Sequence, residues 1–443
     1  MEKSVTLRDM IKSFAPEPLK EADFAGFYCA DTIESRTGSK ETSPMDNLFD
    51  TCRYAEGRKA YLLMGHRGCG KSTELNRLKQ RLEGESYKVA VVSCNTEINL
   101  MNVEYCDLLI LIAQSLFKIA GEIGCDIDRN VIKRILSFWD EKDSETISLE
   151  ESNLEIKSEA SFGTGGLFGN IITLFSGITG DLKNSSSKRE MVRERVIKNA
   201  SEWTLDVKYV ADTIAVKQGF KHPVVIMEDL DKLNPADALR IFGDNAATLS
   251  QLGFPVIYTF PIAAFYSPEV GEFSSYFEFE TLPMIKIINI DGTPYDKGRD
   301  IIKGIVKRRT SPDLIDENAL DLLIDKTGGS LRDLFGRIIK ASLQAPRRGA
   351  DKIELKDAES VLMQLSSELT RRIDSKYYDL LKKIYMSEKE RSQIEETGLL
   401  LDMLQANVIL EYNGERWHDV HPLVADFLLK IGLVSRRDER RSV

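Results

Sequence analysis

The chain has 443 residues, of which 42% are hydrophobic and 29% charged, a composition typical of a soluble protein with two or three domains. Its 60 Lys and Arg residues against 70 Asp and Glu residues give a net charge of −10, which argues against broad, non-specific nucleic-acid binding. The sequence has no apolar run of about 18 residues and no apolar N-terminal signal, so it predicts a cytoplasmic protein without a membrane span.

The strongest signal follows a leader of residues 1–58. An apolar strand is predicted over 59–64, then a glycine-rich loop, then an amphipathic helix over 74–82. This order is typical of a P loop, in which backbone N–H groups and the helix N-terminus bind phosphates. The predicted nucleotide-binding residues are Gly65, His66, Arg67, Gly68, Cys69, Gly70, Lys71, Ser72 and Thr73.

The P loop also predicts the cofactors ATP and Mg²⁺. Lys71 is expected to contact the β- and γ-phosphates, and the Ser72 hydroxyl to ligate Mg²⁺. No guanine-reading N-K-x-D motif is apparent, which favours ATP over GTP.

An insertion is predicted over about 125–190, because a strand–helix–strand step needs only about 30–40 residues. Alternating residues over 147–157 predict exposed strands. The apolar, Gly-rich segment 162–178 has three interpretations: a β-hairpin or loop on the core, an exposed patch for oligomerisation or effector docking, or a membrane-inserting segment. A long helix is then predicted over 192–214, ending before Gly219.

A second apolar strand ends in acids, with the sequence HPVVIMEDLDK over 222–232. Carboxylates at the end of a strand beside the P loop hold Mg²⁺ and polarise water. Glu228 takes the predicted metal position and Asp229 that of the general base, although the sequence leaves open which of the two is the base. Asp231 is expected to position Lys232 or the water.

This acidic strand end resembles that of the AAA+/STAND ATPases, the clade that contains the origin-recognition (ORC) ATPases. Thr259, at the end of the apolar segment 254–259, resembles the sensor 1 residue of that clade, and Arg332 in TGGSLRDLF resembles sensor 2. The resemblance implies an α/β fold: a P-loop NTPase parallel sheet over 59–290, followed by a helical lid over 291–372. Lid helices are expected near 296–309, 316–326, 330–344 and 354–372.

One departure from the clade concerns the arginine finger of ring-forming members. Residues 260–285 contain no arginine, and Arg240, Arg308 and Arg309 are candidates elsewhere in the chain. This favours a slow, regulated switch, or an assembly whose finger comes from a partner, over a permanent hexameric motor.

Residues 373–443 resemble a small α+β winged-helix domain. Helices are predicted over 377–386 and 395–405, strands over 408–412 and 416–420 joined by an Asn-Gly turn, and a closing segment over 421–429. The candidate recognition helix contains no Lys or Arg, which disfavours DNA binding through it. A protein-interaction or autoinhibitory role fits better.

Three functions stay open. The first is an ATP hydrolase that works as a conformational switch on a protein effector or through self-association, for which the resemblance implies anti-phage defence as one setting. The second is a DNA-handling AAA+ ATPase related to initiators or transposition regulators. The third is a scaffold that binds nucleotide with negligible turnover.

Overall fold

The computed structural model of the protein describes residues 1–30, 32–37, 43–54, 60–139, 164–386, 398–412 and 416–437. Its centre is a five-stranded, wholly parallel sheet with the order β2-β3-β4-β1-β5. The strands are β1 Ala60–Met64, β2 Val89–Ser93, β3 Val224–Glu228, β4 Val256–Thr259 and β5 Glu278–Thr281. β1, β3 and β4 are buried along their whole length, as expected for apolar parallel strands covered on both faces. The predicted α/β fold is confirmed.

The leader contributes short helices α1 Met10–Ser13, α2 Phe24–Phe27 and α3 Thr32–Thr37. The core helices that follow are α4 Pro44–Tyr54, α5 Lys71–Gly84, α6 Cys94–Glu97 and α7 Tyr105–Glu122. Side chains of α4 and α5 share one hydrophobic cluster with one face of the sheet, and α7 shares a second cluster with the other face. Because every strand is parallel, all their carboxyl ends meet at one edge, where ligands bind in open α/β sheets.

The predicted insertion is helical in its described part, with α8 Arg129–Trp139, α9 Thr164–Asn184 and the start of α10 Ser186–Lys198. Helix α11 Ala200–Lys217 follows it. The hairpin-or-loop interpretation of 162–178 is therefore wrong, and so is the exposed-patch interpretation for the described side chains. Ile171, Phe175 and Ile178 of α9 are fully buried and belong to the cluster that contains α7. The strands predicted over 147–157 lie outside the described residues.

The long helix predicted after the insertion is two helices, because Asn199 interrupts α10 and α11. Within the described residues, no helix is long and apolar enough to cross a membrane.

Four short helices complete the core: α12 Pro235–Asp244, α13 Ala246–Ser250, α14 Ile262–Phe265 and α15 Val270–Phe273. The lid then contains α16 Asp296–Arg309, α17 Glu317–Lys326, α18 Leu331–Gln344 and α19 Leu355–Thr370, close to the four predicted segments. The leader packs on the lid, with the rings of Phe14 and Phe335 5.4 Å apart. The Ser4 amide also donates to the Arg309 carbonyl at 2.9 Å. The leader is thus bound to α16 and α18 of the lid.

The C-terminal region contains α20 Tyr378–Met386, α21 Gly398–Gln405, the antiparallel pair β6 Ile409–Tyr412 and β7 Trp417–Val420, and α22 Pro422–Lys430. These elements lie close to the predicted ones, while the predicted Asn-Gly turn lies outside the described residues. The winged-helix assignment stays a prediction.

A buried ion pair joins α10, at the end of the insertion, to the core helix α7. Arg193 on α10 donates to both carboxylate oxygens of Asp107 on α7, at 3.0 and 2.6 Å, and their side chains are 4% and 2% exposed. Burial raises the pKa of Asp107 despite the arginine. Removing one partner of such a pair leaves the other charge buried and uncompensated.

We expect Arg193→Met to lower the free energy of unfolding by about 3–5 kcal/mol, measured by urea denaturation. Adding Asp107→Asn, which neutralises the remaining charge, should recover part of this loss. Lys198→Met on the same helix, where the lysine is 68% exposed, is the matched control and should change little. If Arg193→Met costs no more than this control, the ion pair does not hold the insertion in place.

Candidate nucleotide-binding site

The P loop links β1 to α5 in the predicted order. Gly65, Gly68 and Gly70 have φ angles of 152°, 92° and 104°, in the region that favours glycine, and α5 begins at Lys71. Glycine is also required at position 68 for steric reasons, because a Cβ there would lie 2.7 Å from the Ser330 hydroxyl oxygen. The lid helix α18 therefore begins directly against the loop.

Lys71 is buried and already paired. Its Nζ donates to the carbonyls of Gly65 and His66 at 2.6 and 3.1 Å and lies 2.9 Å from Asp231 Oδ2. Burial alone would lower the pKa of Lys71, but the Asp231 carboxylate reverses this and raises it. In turn Lys71 lowers the pKa of Asp231 against the effect of burial. Both groups are charged, and the lysine is held at the loop.

This arrangement differs from the expectation for Asp231. Lys232 instead forms its ion pair with Asp229, at 2.5 Å. The sequence pattern could not separate the two pairings, because both acids lie within three residues of the lysine.

Glu228 and Ser72 form the candidate metal position. The Ser72 hydroxyl hydrogen-bonds to Glu228, whose pKa is raised to about 7, mainly by burial. Glu228 Oε1 is buried and has no hydrogen-bond partner within the described part of the chain. A hydroxyl and a buried carboxylate oxygen without a partner fit Mg²⁺, which prefers oxygen ligands.

Asp229 lines the same cavity as Lys71 and Ser72. Its backbone has φ 73°, unusual for a residue other than glycine and common at functional sites. Ser93, at the end of the neighbouring strand β2, donates its hydroxyl proton to Asp229 Oδ2 at 2.6 Å. Ser93 and Lys232 thus fix the carboxylate at the edge where the strands end.

Thr259 is buried and is not among the residues that line the cavity. Its Oγ1 accepts from the Leu230 amide at 2.9 Å and donates to the Met227 carbonyl at 3.2 Å. The hydroxyl therefore holds the acidic turn after β3, and a role as a phosphate sensor stays a prediction.

Arg332 lies in the first turn of α18 and is exposed. It lines the cavity, and its Cβ is 2.9 Å from where a Cβ on Gly68 would be. The side chain thus lies beside the P loop, and its role as sensor 2 stays a prediction.

Part of the cavity lining is apolar. Pro18 and Leu19 of the leader, Phe27 of α2, and Ile305 and Phe335 of the lid line it. The Leu19 amide donates to the Thr73 hydroxyl at 3.2 Å, which anchors the leader to the start of α5. A cavity lined both by phosphate-binding donors and by apolar side chains fits a nucleotide.

The P loop also makes polar contacts with the C-terminal region. The Glu411 amide of β6 donates to His66 Nε2 at 2.8 Å, so that nitrogen is an acceptor and the proton of a neutral imidazole must be on Nδ1. Nδ1 lies 3.2 Å from Asn407 Oδ1, and Asn407 Nδ2 donates to the Arg67 carbonyl at 3.1 Å. Burial lowers the pKa of His66 to about 3, so the ring is neutral. The His66 side chain thus faces β6.

Two further contacts lie around this one. The Tyr412 hydroxyl of β6 donates to the Gly328 carbonyl in the lid at 2.9 Å, and Gln405 of α21 donates to the Leu233 carbonyl in the core at 3.1 Å. The C-terminal region is therefore bonded to the loop, the lid and the acidic turn.

Sequence reasoning missed this set of residues. The resemblance to the clade implied a contact of Arg36 or its neighbours with the base, and Arg36 does line the cavity, while the contact with the base stays a prediction. Its observed partners were missed: Arg36 is 2% exposed and donates to the carbonyls of Cys69, at 2.6 Å, and Pro283. Cys69 itself is buried. The P-loop residues have a local signature, but their partners lie far away along the chain, with 341 positions between His66 and Asn407.

No protein-family model and no curated protein matches this sequence. Solved structures do. An Aeropyrum pernix ORC2 protein, in ADPNP–ADP complexes, has 13% identity and a TM-score of 0.39, over 88% of this chain and 91% of that one. The Thermotoga maritima RuvB Holliday junction branch migration motor has 12% identity and a TM-score of 0.35, over 94% and 98%. Drosophila ORC bound to DNA has 10% identity and a TM-score of 0.36, over 100% and 85%.

These solved structures include ORC proteins, the group named in the resemblance drawn from the motifs. Similarities this distant, with TM-scores below 0.5, carry no argument, so the function proposed below rests on the geometry of the site.

Proposed function

We propose that this chain is a Mg²⁺-dependent ATPase in which the nucleotide site controls the docking of the C-terminal region. The observation that carries the proposal is the hydrogen bonding of two consecutive P-loop residues to the C-terminal region. The His66 side chain accepts from the Glu411 amide of β6, and the Arg67 carbonyl accepts from Asn407, just before β6. The same strand bonds the lid through Tyr412. A change in the loop or the lid on nucleotide binding therefore alters the contacts of β6.

Each residue of the nucleotide site has a separate role in the proposed ATP hydrolysis. Lys71 and Arg332 bind the phosphates, and the backbone of the loop surrounds them. Ser72 and Glu228 hold Mg²⁺, which neutralises charge on the phosphates when bound. Asp229 orients and deprotonates the attacking water. Asp231 keeps Lys71 charged and positioned.

A nucleotide can shift docking only by its different affinity for the docked and undocked states. The Lys71–Asp231 pair offers such a difference, because phosphates compete with Asp231 for the same ammonium group. Control of a partner or effector protein, with anti-phage defence as its setting, is the finer part of the proposal and rests on the family resemblance alone.

The geometry of α21 does not favour the DNA-handling alternative. Asp402 is the one charged residue of this helix, and Leu400, Met403 and Leu404 are buried. A helix with this charge and packing offers no cations to phosphates.

The first test is Mg²⁺-dependent ATP turnover, measured separately from nucleotide affinity. We expect Asp229→Asn to keep nucleotide binding and lose about 10²–10⁴-fold in turnover, because it removes a proton acceptor without changing shape. Lys71→Ala should weaken binding itself. Asp244→Asn, at an exposed position of α12, is the matched control.

Stimulation of turnover by added DNA or RNA would instead support the DNA-handling alternative. Tight binding with no turnover in the unsubstituted protein would support a scaffold.

The second test is hydrogen exchange of the β6 amides with and without Mg·ATP. Asn407 has φ 56°, so Asn407→Gly removes the amide side chain without straining the backbone. We expect it to raise β6 exchange without nucleotide by about tenfold, since two hydrogen bonds are lost. Mg·ATP should change β6 exchange in the unsubstituted protein but not in Lys71→Ala. Asn318→Ala, on the exposed side of α17, is the control.

Equal β6 exchange in all variants and nucleotide states would contradict control of docking by the nucleotide, while leaving the ATPase itself untouched.

The third test uses pH. The pKa of His66 is about 3 in the folded state and near 6.5 when exposed, so the unfolded chain binds more protons between these values. Stability linked to His66 is thus complete above pH 6.5 and falls as the pH drops below it, by up to about 1.4 kcal/mol per pH unit. We expect the stability difference between the unsubstituted protein and His66→Gln, from urea denaturation, to shrink from pH 7.5 to pH 5. Parallel pH profiles would show that His66 is not buried as a neutral acceptor.

A further inference from the structure

Arg309 is a buried cation beside two phenylalanines that line the cavity. It is the last residue of α16 and is 5% exposed. Its guanidinium carbon lies 4.8 Å from the ring centre of Phe335 and 5.9 Å from that of Phe27. All three side chains line the cavity.

This arginine is poorly satisfied within the protein. Within the described residues its guanidinium makes one hydrogen bond, from Nη1 to the Phe27 carbonyl at 3.4 Å, the long end of the range. Nε is buried without a hydrogen-bond partner there, and the nearby Asp23 carboxylate, which raises the pKa of Arg309, forms no salt bridge with it. Burial lowers the pKa of Arg309 to about 10, which still leaves it charged. A buried charge with so few partners is costly unless a ligand supplies them.

The position along the cavity identifies which part of a nucleotide it meets. Arg332 and Phe335 lie on the same face of α18, one turn apart. Arg332 is beside Gly68 of the P loop, and Arg309 stacks on Phe335. Arg309 therefore lies beside Phe335 and Phe27, one helical turn along α18 from Arg332. Phosphates on the loop would place the base on this side of the cavity.

We propose that Arg309 donates a hydrogen bond to an acceptor atom of the purine base and thereby sets the affinity for the base. The proposal rests on nucleotide binding at the P loop, as argued above. A guanidinium has five N–H donors and no acceptor, so its ligand must present an acceptor. Phe335 covers one face of the group, which leaves its edge for an in-plane hydrogen bond. The ring nitrogens N1, N3 and N7 of adenine are such acceptors.

The competing explanation is structural. Arg309 could serve only to join the lid to the leader, through its stacking on Phe335 and its bond to Phe27. A structural role predicts weaker binding of every ligand alike, whereas base recognition predicts a loss that depends on one atom of the base.

The experiment measures equilibrium affinities for Mg·ADP, for its 1-deaza, 3-deaza and 7-deaza analogues, and for tripolyphosphate. The unsubstituted protein should bind ADP on the order of tenfold more tightly than one of the three analogues. Arg309→Met should bind ADP on the order of tenfold more weakly, no longer discriminate against that analogue, and bind tripolyphosphate normally. Lys307→Met, at an exposed position of the same helix, is the matched control and should behave as the unsubstituted protein.

Equal affinity of the unsubstituted protein for ADP and all three analogues would overturn the proposal, as would full discrimination by Arg309→Met. An equal loss for ADP and tripolyphosphate would assign Arg309 to the phosphates or the fold. Arg309→Lys keeps the charge but lacks the planar fork, so it should lose the discrimination even if the methionine variant is unstable. Tripolyphosphate binding without base discrimination would overturn this inference alone, whereas no binding of any of these ligands would also overturn the proposed function.

Discussion

The carbonyl groups of the P loop need hydrogen-bond donors, and this need joins the leader, the lid and the C-terminal region to the loop. A loop that turns its N–H groups toward phosphate points its carbonyls away, and buried carbonyls need donors. Every carbonyl from Gly65 to Gly70 has one. The donors are Lys71 Nζ for Gly65 and His66, Asn407 Nδ2 for Arg67, the Leu331 amide for Gly68, Arg36 Nη2 for Cys69 and the Thr73 amide for Gly70. Leader, lid and C-terminal region each supply a donor, so the loop joins the parts of the molecule.

These hydrogen bonds are a direct path along which a small movement at the phosphates would reach the C-terminal region. The contacts are hydrogen bonds between buried groups, and a buried group left without its partner costs about 1–3 kcal/mol. These hydrogen bonds are therefore kept or lost together. Nucleotide binding must either preserve all of them or exchange several at once. A switch between two discrete arrangements follows more readily from such a set than a gradual displacement does.

The sequence was informative where the chemistry is local. The glycines and Lys71 identify the loop, buried parallel strands are apolar along their length, and the lid helices follow from their periodicity. Prediction failed over 162–178, where glycines and apolar residues suggested a hairpin or an exposed patch, because burial of Phe175 against the core outweighs the low helix propensity of glycine. It also missed the partners of His66 and Arg36, because a lone polar residue in a sequence does not indicate which distant group it meets.

The variable positions of the loop therefore deserve as much weight as the fixed ones. In GxxxxGKS the glycines, lysine and serine are set by phosphate and metal, which any nucleotide would require. The four positions between the glycines are free of that requirement, and here each contacts another part of the chain. His66 faces β6, Arg67 donates to the Lys232 carbonyl at 3.1 Å, Gly68 admits the lid helix, and Cys69 presents its carbonyl to Arg36. The motif thus carries two layers of information: its fixed residues specify the ligand, and its variable residues specify which parts of the protein respond to it.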